Sequence, residues 1–220
     1  MNKRLITVGL FILAIAIVIK LLIVGVCNIE IDDFHKSSIV FVIDSTNQEK
    51  LPEEIKYIKS LCAILDPEDS VKIIKVAQSA YLIFEGSPGD SSGITKAVEN
   101  FSKDDGNSQG VAYNEGIKKA FSNSLSMAKD GYNTSIVVLG ELESKSNEQL
   151  GINWDTLPKN IQKVQKYTPE LAMMFVFAQP EKLDLVKTKL NPILGEKKLI
   201  VANEANIDKA NRRFLDAIGR

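Results

Sequence analysis

Short, unbroken apolar runs alternate along this chain with stretches in which apolar residues recur every three or four positions, and that alternation defines its elements. After Ser38, Ile39-Val40-Phe41-Val42-Ile43 carries no polar interruption, the pattern of a strand buried on both faces in the middle of a parallel sheet; it ends in Asp44-Ser45-Thr46. Pro52 stands where a helix can begin, and Ile55, Ile58, Leu61, Cys62 and Leu65 follow at helical spacing. Asp66-Pro67-Glu68-Asp69 turns the chain into a strand over Val71 to Val76, and a further strand, Tyr81 to Phe84, comes after only Ala77 to Ala80. So short a connection holds no crossover helix, so this pair predicts an antiparallel hairpin at one edge of the sheet. Gly86 to Asp90 is a loop by its turn residues, with Ser91 or Ser92 placed to cap a helix carrying Ile94, Ala97, Val98 and Phe101. A polar loop, Ser102 to Gly110, leads to a helix marked by Ile117, Ala120, Phe121 and Leu125. The strand Ser135 to Leu139 again ends in acid, in Gly140-Glu141-Leu142-Glu143. A helix with Leu157, Ile161 and Val164, a strand Met173 to Phe177, a helix opened by Pro180, a strand Lys198 to Val201 and a helix with Ile207, Ala210, Phe214 and Ile218 complete an α/β pattern.

The N-terminus follows a different rule. Leu5 to Val26 is apolar except for Lys20, long enough as a helix to cross a hydrocarbon core of roughly 30 Å. This predicts a transmembrane anchor over residues 1–27, a linker over 28–37 and a domain over 38–220. Lys3 and Arg4 precede the anchor while Glu30, Asp32 and Asp33 follow it, which places the N-terminus in the cytoplasm and the domain outside. Two alternatives stay open. Leu5 to Ile19 also suits the apolar core of a cleaved signal, although no small-x-small cleavage site follows. Val24-Gly25-Val26-Cys27 resembles a bacterial lipobox, with valine departing from the small residue expected before the lipidated cysteine.

Composition narrows the chemistry. With 27 basic and 28 acidic residues in 220, and no long block of either, the chain shows no footprint for nucleic acid. Cys27 and Cys62 lie in different parts of the pattern, so a free buried thiol is expected at Cys62. The one histidine, His35, lies in the linker and cannot build a histidine zinc site. Phosphate-loop, G-x-S-x-G and zinc-protease motifs are absent, and Asp44-Ser45-Thr46 lacks the second aspartate of haloacid dehalogenase phosphatases. No catalytic residue is assigned, and an Asp44-dependent hydrolase is the remaining enzymatic alternative. Asp66 and Asp69 read as turn residues and Trp154 as a core or staple residue.

From Ser38 onward the chain resembles a von Willebrand factor type A domain of the membrane-anchored bacterial kind. The likeness rests on the strand ending in Asp44-Ser45-Thr46, on Leu65-Asp66-Pro67-Glu68-Asp69-Ser70-Val71, on the hairpin edge, on Gly106-Asn107-Ser108 ahead of a helix, and on Ile136-Val137-Val138-Leu139-Gly140-Glu141. It implies a doubly wound, mostly parallel sheet with one antiparallel edge strand and a divalent metal at its top. Carried over, Asp44 matches the first aspartate of the metal loop, Thr46 replaces its first serine and Gln48 departs from its second. Ser108 matches the loop threonine and Glu141 replaces the later aspartate. Such oxygen donors suit magnesium, calcium or manganese. The implied function is binding of another protein, whose Asp or Glu side chain completes the metal shell. In the alternative, the same acids and hydroxyls only cap helices, the longer amide of Gln48 takes the ion's place, and the domain is a degenerate scaffold subunit of a membrane complex.

Overall fold

The computed structural model describes residues 36–100, 111–142, 150–203 and 205–220. The anchor expected over 1–27, most of the linker, Phe101, Ser108 and Glu143 lie outside the described residues. Among those described, no helix is long and apolar enough to cross a membrane.

Strand β1, Ser37–Asp44, is buried along its whole length, as its unbroken apolar run requires. It pairs in parallel with β2, Ser70–Val76, on one side and β4, Asn133–Leu139, on the other, with Phe41 opposite Ile73 and Val137. β3, Ala80–Gly86, runs antiparallel to β2, with a register shift between Ile73 and Ile74, which makes it the reversed edge strand that the short connection predicts. β5, Ala172–Val176, and β6, Leu199–Ala202, extend the other side in parallel, so the order is β3-β2-β1-β4-β5-β6.

Side chains of β1 alternate between two cores, which is why the run has no polar face. Val40 and Val42 pack with Ile136, Val138 and Phe175 beneath three helices: α3 (Tyr113–Lys129), α4 (Leu157–Gln165) and α5 (Pro180–Lys198). Ile39, Phe41 and Ile43 pack with Val137, Leu139 and Met174 beneath α1 (Leu51–Cys62), α2 (Ser91–Glu99) and α6 (Ile207–Ala217). Each such aliphatic side chain contributes about 1.5–3 kcal/mol on burial, so the doubly wound arrangement follows from the pattern itself. Partly buried Trp154 packs on the first core just ahead of α4, the packing role its type suggests.

The described residues correct the pattern at three places. The buried stripe of α1 is Leu51, Glu54, Tyr57, Ile58, Leu61 and Cys62, whereas Ile55 and Leu65 are only partly covered. The stripe turns because Tyr57 carries an apolar ring inward, edge-on to Phe177 at 5.8 Å, with its hydroxyl on Asn211 at 2.8 Å. The cap of α2 is Asp90, whose carboxylate accepts the Gly93 N–H at 2.8 Å; Ser91 and Ser92 already lie inside the helix. The helix ending at Lys198 leaves its regular path at Gly195, where φ is 71°, and β6 begins one residue later than the pattern suggests.

The amino ends of β1 and β2 are tied by Asp69. Its buried carboxylate accepts the Ser37 N–H at 2.8 Å and the Asp66 N–H at 3.0 Å and pairs with Arg220, which also meets Asp66 at 2.7 Å. Asp66 and Asp69 are therefore structural. The parallel strands then deliver Asp44 and Glu141 to the opposite, carboxyl edge, where α/β sheets bind ligands.

Candidate functional site at the carboxyl edge

Asp44 is the last residue of β1 and only 4% exposed. Its Oδ1 accepts both the backbone N–H of Thr46 at 2.8 Å and the Thr46 hydroxyl at 2.7 Å. Its Oδ2 accepts the phenol of Tyr113 at 3.2 Å, and the same phenol oxygen accepts the Leu142 N–H at 3.4 Å. Two close approaches make this possible. A Cβ on Gly116 would lie 2.4 Å from a Val76 methyl, so α3 lies directly against β2 and brings Tyr113 over the end of β1. At Gly140, where φ is 120°, a Cβ would lie 2.3 Å from the Tyr113 hydroxyl and 2.8 Å from Asp44 Cβ.

Around this centre the loops are held by their own side chains. Ser45 donates from its N–H and its hydroxyl to the Val76 carbonyl, at 3.1 and 3.2 Å. Asn47 accepts the Lys50 N–H at the head of α1 and donates its amide to Glu141 Oε1 at 3.2 Å, joining the loops after β1 and β4. Leu142 after β4 and Phe177 after β5 hold left-handed φ values of 61° and 63°, conformations that are rare for residues with a Cβ and cluster at functional edges.

The structure thus brings Asp44, Thr46 and Glu141 to one edge, as their places after β1 and β4 imply, whereas Ser108 falls outside the described residues. Gln48 differs from the expectation. Its side chain is exposed and donates to the Ser45 carbonyl at 2.9 Å, so its amide satisfies its own loop and does not take an ion's place.

Two residues of this edge are not flagged by the pattern. Tyr113 is fully buried, and burial together with the charges of Asp44 and Glu54 pushes its phenol well above the ordinary range. Glu54 is 1% exposed, and neither carboxyl oxygen has a hydrogen-bond partner among the described residues. Burial raises it to about 9, helped by the negative charge of Asp44 and opposed by Lys50. Burial also raises Asp44, against the hydrogen bonds from Thr46 and Tyr113 and with the Glu141 charge adding to the rise. The available signal was spacing: Glu54 lies three residues after Leu51 and three before Tyr57, and Tyr113 four before Ile117.

Solved structures place this architecture. A von Willebrand factor type A protein from Catenulispora acidiphila superposes with a TM-score of 0.57 at 11% identity, over 84% of this chain and 43% of that one. Proximal thread matrix protein 1 of the mussel byssus, with a zinc-occupied metal-ion-dependent adhesion site motif, gives 0.56 at 14% identity, over 83% and 48%. BatB from Bacteroides thetaiotaomicron gives 0.56 at 13% identity, over 84% of this chain and all of that one. The fold is that of a von Willebrand factor type A domain. The chain spans about half the length of the mussel and Catenulispora proteins. No protein-family model matches the sequence, and no curated protein shows significant sequence similarity to it.

The mussel protein carries zinc at its own adhesion-site motif, which makes the donor chemistry of this edge the deciding observation for a cation here. Asp44, Thr46 and Glu141 are hard oxygen donors of the right class. Yet both Asp44 oxygens already accept protons, and the Thr46 hydroxyl proton is directed at Asp44. Among the described residues, no three His, Cys, Asp or Glu side chains gather as ligands. The Thr46 hydroxyl keeps its lone pairs while it donates, but the Tyr113 phenol occupies Oδ2, so as arranged the described residues do not fit a cation there unless the phenol is displaced.

Proposed function

We propose that this chain is a membrane-anchored, extracytoplasmic protein-binding domain of the von Willebrand factor type A kind, meeting its partner at the carboxyl edge of the sheet without a cation. Residues 1–27 provide the anchor and 28–37 the linker, on the strength of the apolar run and its flanking charges. The observation that carries the reading is the closed hydrogen-bonding of Asp44 by Thr46 and Tyr113, with partly or fully exposed Thr46, Asn47, Gln48 and Glu141 around it. These side chains form a shaped, polar rim on rigid strand ends. Binding is favoured over turnover because a carboxylate this buried, with both oxygens engaged, is poorly placed to attack a substrate.

A second reading is supported by the zinc-occupied neighbour. In it Asp44, Thr46 and Glu141, with Ser108, hold a magnesium or other divalent ion whose shell is completed by a partner's carboxylate. The two readings separate when the tagged full-length chain is isolated from its own membranes with and without chelator, beside Asn47→Arg. A stoichiometric partner that persists in chelator and is lost from Asn47→Arg is the expected result. Loss in chelator would favour the cation, and retention by Asn47→Arg would move the contact away from this edge.

A further inference from the structure

Among the described candidate ligands, Asp44 and Thr46 lie after β1 and Glu141 after β4. Tyr113, at the start of α3, touches Asp44 on the first of these loops and Leu142 on the second. We infer that the Tyr113 phenol does the work of a bound cation at this edge, locking the two loops to α3 and making the site metal-independent. This rests on the cation-independent reading above and adds the residue responsible.

The chemistry favours a phenol over an ion at this place. The group between Asp44 and Leu142 faces a carboxylate oxygen on one side and a backbone N–H on the other. A cation satisfies the carboxylate but has nothing to accept from the N–H. A neutral hydroxyl donates to the first and accepts from the second, so one group satisfies both. The space is also fitted to it, since even a methyl group at Gly140 would overlap the hydroxyl.

Removing the phenol should therefore create what it replaces. Calorimetric titration of manganese into the full-length chain, with thermal unfolding in chelator and in magnesium, is compared for wild type, Tyr113→Phe and Tyr113→Ala. Wild type should show no saturable uptake and one unfolding midpoint in both media. Tyr113→Phe, which loses only the oxygen, should unfold several degrees lower. Both variants should gain saturable manganese uptake that disappears when Asp44→Asn is added, a gain that a merely structural tyrosine would not produce. Should Tyr113→Ala fail to fold, Tyr113→Phe decides alone. A folded Tyr113→Phe that keeps the wild-type midpoint and takes up no manganese would overturn the inference while leaving cation-independent binding intact. Asp44-dependent uptake by wild type would overturn both.

Discussion

Glu54 offers the sharpest energetic test of this edge. Its carboxyl is buried with no hydrogen-bond partner among the described residues, ionising near 4.5 in the unfolded chain and at about 9 when folded. Below 4.5 both states hold the proton and the shift costs nothing. Between the two values the unfolded chain releases a proton that the folded chain keeps, so stability falls as pH rises, by about 1.4 kcal/mol per pH unit. Relaxation that admits water to the carboxyl reduces this slope, so between pH 5 and pH 8 the loss assignable to Glu54 is about 2 to 4 kcal/mol. Glu54→Gln keeps the shape but cannot ionise, and Glu54→Leu also removes the unsatisfied polar atoms. Urea unfolding of the His35–Arg220 unit, followed by circular dichroism, should show Glu54→Gln gaining on wild type by that amount from pH 5 to pH 8. Glu54→Leu should gain by a similar amount and exceed wild type outright at pH 8. A difference between wild type and Glu54→Gln that stays constant with pH would refute the buried, partnerless carboxyl.

Three further perturbations probe the frame around the site. Gly140→Ala should destabilise by about 3 kcal/mol, measured by thermal unfolding, because the new methyl meets the Tyr113 hydroxyl at a positive φ. Asp69→Ala should cost about 3 kcal/mol in urea unfolding, since it leaves the Ser37 and Asp66 N–H groups without their acceptor and removes a buried partner of Arg220. Cys62 is 4% exposed and burial pushes its thiol up to about 12, so in a Cys27→Ser background Ellman's reagent should react at pH 8 only after denaturant is added.

What could be read from the residues divides along a physical line. The central strand, the hairpin edge and the two-sided covering of helices are consequences of local apolar pattern, and Val40 and Phe41 point to opposite cores because strand side chains alternate. Asp44, Thr46 and Glu141 were legible as neighbours because parallel strands release their ends at one edge. The face of α1 was not, because Glu54 and Tyr57 count as polar in any periodicity, although the fold buries both. The partner of Gln48 and the cap of α2, expected at Ser91 or Ser92 and found at Asp90, escape the pattern because a side chain's partner is chosen by backbone geometry within a turn, which residue type alone leaves open. The Tyr113 contact could not be foreseen, since it joins residues 69 positions apart and depends on close packing at Gly116 and Gly140.

The most direct test of protein binding at the carboxyl edge is photo-crosslinking in intact cells from a benzoylphenylalanine placed at Asn47, on the rim, or at Tyr167, an exposed position at the end of α4. One discrete adduct from Asn47, none from Tyr167, and the same yield after chelator treatment is the predicted result. Adduct from Tyr167 alone, or an Asn47 adduct that vanishes with chelator, would contradict it.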